Sequence, residues 1–337
     1  MRSMPEPRGE TSQALISALA REPHALVRPP VARPGDPLAD EDLQLSLYLC
    51  YELHYRGLPG VSDAWEWDPS LLRLRARLES IFEAALLDAV PMAAGGSAFE
   101  IDAALRAISE LDGPSLSGYL RTRATLEQVR EFLVHRSAYQ LKEADPHSWA
   151  IPRLAGAPKA ALIEIQADEY GGGRRDWMHS ELFARSMRAL GLDARYGAYV
   201  ALIPGITLAT VNLMSLCGLH RRLRGAIVGH LALFEMTSSL PNRRYGDALR
   251  RLGFGRDATL FFDEHVTADA VHENIAAVDL AGGLVRQEPE LAAQVLWGAR
   301  ALVHLDSRWA THVLDAWRGG RSSLRTEVPA PAPMVPS

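Results

Sequence analysis

Lysine, cysteine and β-strand signals are nearly absent from this 337-residue chain, and each shortage narrows what the protein can be. Lys142 and Lys159 are the only lysines; arginine supplies the other basic side chains, a skew that points to a GC-rich genome more than to a function. Acidic residues outnumber basic ones, 41 against 36, for a formal charge of −5. No basic excess is left to neutralise phosphates, which argues against a nucleic-acid partner. Cys50 and Cys217 stand far apart with no partner at metal-binding spacing. They fit a reducing cytoplasm and no disulfide framework. Alternating β-branched runs are missing, so no sheet is expected. Residues 1–40 mix Pro, Arg and acids without a continuous apolar core, unlike a secretory signal. One uncharged stretch, 196–219, is long enough to cross a bilayer, but Pro204-Gly205 and Asn212 interrupt it. It reads as two buried helical pieces joined at the Pro-Gly turn, in a soluble protein with no membrane partner.

What is present is helical periodicity over an ample core, with 47% hydrophobic residues. Apolar residues recur at i, i+3, i+4 and i+7 over 43–55, 71–89, 126–143, 158–170, 176–190, 226–239 and 288–317. Breakers follow: Pro146, Gly171-Gly172-Gly173, Gly191 and Pro241. The chain therefore reads as all-α. Residues 1–40 are expected to be a poorly ordered N-terminal segment with a short helix near 13–20, and 41–125 a helical extension packing on the bundle. Residues 126–320 would form the metal-binding bundle and 321–337 a disordered Pro- and Ala-rich tail.

The densest chemistry lies at His265, Asp269 and His272, spaced i, i+4 and i+7. On a helix these project within roughly a 60° arc, because each residue turns about 100°. Imidazole, carboxylate and imidazole are the ligand set of non-haem iron; the bland alternative is a solvated helix face. Glu235 sits among Leu231, Phe234 and Met236. Burying a lone carboxylate costs several kcal/mol unless it is paired, protonated or on a metal, so an arginine partner is its alternative. Glu169 closes its helix just before the three glycines, which lack the preceding strand and the spacing of a phosphate loop. A tight reversal there turns Glu169 and His179 toward one space. Asp176 and His179 stand at i and i+3, the acidic-x-x-His spacing of di-iron bundles.

Together Glu169, His179, Glu235, His265, Asp269 and His272 exceed what a closed four-coordinate zinc needs. His265 and His272 are separated by roughly 10.5 Å of helical rise, an awkward reach for one ion. Two ions roughly 3.5–4 Å apart fit better. A mononuclear centre on His265, Asp269 and His272 alone stays open, as does a non-catalytic helical ligand-binding or scaffold protein. His54 and His220 read as packed or interfacial histidines, Cys217 as a packing residue, and Glu143 with His147 as a structural helix end. Arg136, Tyr139 and Lys142 are candidates for binding a substrate carboxylate or donating a proton.

With Glu169 and His179 around Gly171-Gly172-Gly173, Glu235, and His265-x3-Asp269-x2-His272 in this order, the chain resembles the haem-oxygenase-like di-iron oxidases and oxygenases, the iron-containing redox enzymes. The stretch from His135 to Pro152 looks similar too, and the resemblance covers about 126–317. It implies a seven-helix haem-oxygenase-like bundle whose haem site is replaced by two iron ions cycling between Fe2+ and Fe3+, with O2 as co-substrate. It implies Asp176 as an additional carboxylate, and one metal held weakly because the helix bearing His265 and His272 can loosen. The implied chemistry is N-oxygenation, C–C cleavage or decarboxylation of a small amino- or fatty-acid-like metabolite. The expected partners are that small molecule, an external electron donor and a second copy in a homodimer, in the cytoplasm.

Overall fold

Side chains that alternate with helical period need partners on the same face, and this sequence supplies them helix against helix. The computed structural model describes residues 4–26, 31, 35–92, 101–111, 113–326 and 328, with the backbone alone at 268–271. Among the described residues the regular structure is entirely helical. The N-terminal part contains α1 (Glu10–Leu19), α2 (Glu41–Glu52), α3 (Pro69–Ala89), α4 (Ile101–Ser109) and α5 (Leu116–Thr122). There follow α6 (Leu126–Gln140), the single turn α7 (Asp145–Ser148), α8 (Gly156–Glu169) and α9 (His179–Ala189). The remainder is α10 (Gly205–Leu219), α11 (Arg224–Arg251), α12 (Arg256–Asn274), α13 (Gly283–Gln287) and α14 (Ala292–Arg318). No described helix is long and apolar enough to cross a membrane.

Local chemistry sets several of these ends. The Asp40 carboxylate accepts the Leu43 N–H to open α2, and Asp68 accepts from Ser70 and Leu71 with Pro69 in the first turn of α3. Thr125 and Gln128 cap each other's backbone at the start of α6. Helix α10 is buried on nearly every side, which explains its uncharged sequence; it packs on α2, α11 and α14. The longest helices, α11 and α14, cross where each carries a glycine. A Cβ at Gly229 would stand 1.8 Å from the Val295 carbonyl oxygen, and one at Gly298 2.0 Å from that of Ala226.

Several expectations are corrected here. Residues 196–203 form turns, and one helix begins at Gly205 after Pro204, so the uncharged stretch holds one helical piece instead of two. Helix α11 runs through Pro241, because Asn242, Gly246, Ala248 and Leu249 bury beyond it and outweigh the missing hydrogen bond. Helix α9 starts at His179, since Met178 is extended (φ −59°, ψ 131°) and separates it from the 3-10 turn Arg175–Trp177. The N-terminal helix begins at Glu10 and buries Leu15 and Leu19 in the common core. The parts of the expected disordered ends at 1–3, 27–30, 32–34, 327 and 329–337 lie outside the described residues.

The glycine crossing gives a direct test. Because the atoms that would clash are backbone, Gly229→Ala is expected to destabilise the fold by about 3 kcal/mol or more, seen as a lowered Tm in thermal unfolding. Gly255→Ala, with open space around it, should leave Tm nearly unchanged.

Candidate metal centre

Five chain segments converge at one buried point. Helix α6 ends at Gln140, and a turn then presents Lys142 and Glu143 before Ala144 reverses the chain at φ 74°, a left-handed conformation. Lys142 is fully buried and ion-paired with Glu52 of α2. The rings of Tyr55, Tyr48 and Tyr196 surround its ammonium at 4.1, 5.4 and 5.9 Å, and the Tyr196 hydroxyl donates to Glu52 at 2.5 Å. Glu143, next in the chain, belongs to the metal-competent cluster. Glu169 is the last residue of α8, and the reversal after it holds Gly171, Gly172 and Gly173 at positive φ. At Gly171 the requirement is also steric, since a Cβ would stand 2.5 Å from the Trp177 carbonyl carbon. This compact turn brings His179, the first residue of α9, back to Glu169. Helix α11 supplies Glu235, and α12 supplies His265 and His272.

The donors fall into two groups. Glu143, Glu169, His179 and His265 each offer a ligand atom within 4.8 Å of the others; so do Glu169, Glu235 and His272. All six residues are buried, and Glu169 belongs to both groups. Glu169 Oε2 lies 2.9 Å from His179 Nδ1, and Glu235 Oε2 lies 3.3 Å from His272 Nδ1. Nevertheless Glu143 Oε2, Glu169 Oε2, His179 Nδ1 and His272 Nδ1 are buried without a hydrogen bond of proper geometry. Buried polar atoms are ordinarily satisfied, so carboxylate and imidazole atoms converging in this way fit a cation in place of their contacts with one another. Carboxylate oxygen and imidazole nitrogen are the donor set that suits iron.

Neighbouring groups orient the imidazoles. The Phe261 carbonyl, which can only accept, takes the His265 Nδ1 proton at 2.8 Å and turns Nε2 toward Glu143, 3.6 Å away. Asp168 accepts from His272 Nε2 at 3.0 Å, which leaves Nδ1 facing Glu235. Burial disfavours charge on both Glu169 and His272, yet their partners prevail. The imidazoles of His179, His265 and His272 hold the Glu169 carboxyl down to about 2. The carboxylates of Glu235, Asp168 and Glu169 raise His272 to about 9. Burial, and then the charges of Glu143, Glu169 and Glu235, push the Tyr139 phenol well above its usual range, so it keeps its proton. The buried His147 Nε2 and His230 Nδ1 lie 3.1 Å apart, and burial lowers His147 to about 4.

Two spaces adjoin the centre. One of about 10 Å³ lies among Tyr139, Glu143, His147, Glu169, Glu235 and His265, room for a single water-sized molecule. The other, about 930 Å³, reaches Glu143 and His265 from between α6, α11, α12 and α14.

Of the residues singled out from sequence, Glu169, His179, Glu235, His265 and His272 come together. Glu235 joins His272 in one group, while His179 joins His265 in the other. Asp269 lies on α12 between the two histidines, but its side chain falls outside the described residues. Asp176 is exposed on the 3-10 turn and stands apart from both groups. Glu143, read from sequence as a helix end, and Asp168 are the additions. Glu143 carried no periodic signal, because α6 ends at Gln140 and the turn beyond it sets the position of Glu143.

Residues 130–307 match the model of a family described as iron-containing redox enzymes. The chain belongs to the iron-containing redox enzyme family. All six donors lie inside the matched span, and the haem-oxygenase-like all-α fold expected from sequence is the one the chain adopts. The chain is also similar to a nitrosourea synthase from Streptomyces achromogenes subsp. streptozoticus, 28% identical over 219 residues. That alignment covers 63% of this chain and 46% of the synthase, so the chain spans less than half the length of that relative. Helix α2, with Glu52, lies outside the family match.

The buried ion pair beside the centre carries a prediction. Glu52→Ala strands the Lys142 ammonium in the core and should cost about 3–5 kcal/mol in urea unfolding, whereas the paired replacement Glu52→Leu with Lys142→Met should recover most of it.

Proposed function

We propose that this protein is a non-haem di-iron oxidase or oxygenase that uses O2 to oxidise a small amino- or fatty-acid-like metabolite. The observation that carries the reading is the membership of Glu169 in both donor groups. A carboxylate has two oxygens, so one side chain can bridge two ions. Glu143, His179 and His265 would complete one ion's shell; Glu235 and His272, with Asp269 from the same helix, would complete the other. Bound there, the iron pair supplies reductive activation of O2, with electrons restored by an external donor.

The chain's own residues prepare the ground for that chemistry. The Phe261 carbonyl and Asp168 fix which nitrogen of His265 and His272 faces inward. Tyr139 lines the smaller space and keeps the proton at its phenol oxygen. The apolar rings of Phe234 and Phe261 pack against Tyr139 and His265, with ring centroids 5.6 and 4.4 Å apart, and line the larger cavity beside the donors. Among oxidative outcomes, the likeness to a nitrosourea synthase supports oxidation at nitrogen. A single ion on His265, Asp269 and His272 is supported less well, since the two histidines join different groups.

Anaerobic loading with Fe(II) followed by O2 tests the reading. Wild-type protein should take up two ions and develop a visible absorption on exposure to O2. His179→Ala and His272→Ala should each cost one ion, and Glu169→Ala both. Uptake of less than one iron with no O2-dependent absorption would refute the proposal.

A further inference from the structure

Two opposite charges of the larger cavity lack a neutralising partner among the described residues. Arg136, on α6, lies half-buried with its guanidinium over the Trp309 ring, 5.3 Å from the centroid. Asp306, one turn before Trp309 on α14, is half-buried and lines the same cavity. Among the described residues neither makes a hydrogen bond or an ion pair, with the other or with anything else. Burial pushes the Asp306 carboxyl up and the Arg136 charge opposes it, so the two feel each other without touching. Close by, the buried Gln140 Oε1 and Trp309 Nε1 also lack hydrogen bonds.

The other charges of the cavity are accounted for. Glu273 pairs with Arg106 at 3.0 Å, Arg244 donates to Ser117 at 3.2 Å, and Arg243 is exposed to solvent. Glu143 and His265 belong to the metal centre. Among the described residues, Arg136 and Asp306 are thus the half-buried cation and anion of this cavity that no partner matches.

We propose that Arg136 and Asp306 grip the two poles of a zwitterionic head group, so that this site takes an α-amino acid in preference to a simple fatty acid. The planar guanidinium suits a carboxylate, which it binds through two parallel N–H donors. The Asp306 carboxylate suits an ammonium, and the Gln140 amide oxygen is a second acceptor within the same space. A fatty acid would satisfy Arg136 but lay its tail beside a desolvating, unpaired Asp306; a simple amine would strand Arg136. Arg136, Gln140 and Glu143 follow one line of the helix and its closing turn, and seven residues of rise amount to about 10 Å. A head group held at Arg136 therefore directs the ligand's side chain, not its α-carbon, toward Glu143 and His265. The proposal rests on the di-iron reading only for what happens at that far end; the grip itself needs no metal.

Calorimetric titration of metal-free protein tests it, with L-norleucine and L-methionine set against hexanoate and pentylamine. Both amino acids should bind about tenfold more tightly, or better, than either single-headed probe. Arg136→Met and the isosteric Asp306→Asn should each remove that advantage while iron uptake persists. The proposal is overturned if hexanoate or pentylamine binds as tightly as the amino acids, if neither amino acid saturates, or if both variants bind them unchanged. Loss of iron uptake in wild-type protein with the amino-acid preference intact would count against the di-iron reading alone.

Discussion

One buried carboxylate organises the centre. Glu169 is an anion in the interior, and an anion there is tolerable only with cationic or hydrogen-donating partners on every side. Three imidazoles and two further carboxylates gather around it from α9, α11, α12 and the turn after α6. Each arrives by a different local device. The positive-φ glycines return His179; the spacing along α12 delivers His265 to one side of Glu169 and His272 to the other; and the glycine crossing of α11 with α14 sets the helix that bears Glu235. Positive charge placed among these donors answers the repulsion between the carboxylates and uses atoms that otherwise lack partners.

The N-terminal helices take part in this arrangement. Glu52, outside the span that matches the family, fixes Lys142, and Lys142 adjoins Glu143 in the chain. The tyrosine rings around the ammonium provide a polarisable wall that moderates the cost of its burial. The turn carrying Glu143 is therefore clamped from outside by an ion pair and placed inside among metal-competent donors. Where α12 ends, the π-helical stretch Ile275–Gly282 packs against α8 and α11, a wide-turn geometry often found beside functional sites.

The parts legible in the sequence were those governed by regular spacing. The i, i+4, i+7 register of α12 identified His265 and His272, and the run of three glycines predicted the approach of Glu169 to His179. Glu143 escaped because its helix ends at Gln140 and the left-handed Ala144 then decides its direction, a feature periodicity cannot express. Asp176 followed helical spacing to His179 only on paper, for the extended Met178 breaks the helix between them. Local propensity reads Pro241 as a stop, whereas burial beyond it carries α11 onward. The unmatched charges of Arg136 and Asp306 were invisible for another reason. Arg136 drew notice as a carboxylate binder, but its counterpart lies 170 residues away on α14 and meets it only through packing.

On the proposed reading, Glu169 is shared between two ions. Anomalous diffraction at the iron edge, from crystals loaded anaerobically with Fe(II), tests it most directly. Two peaks about 3.5–4 Å apart are expected, one beside Glu143, His179 and His265 and the other beside Glu235 and His272, with Glu169 between them. A single peak, or a pair of peaks that Glu169 does not bridge, would contradict it.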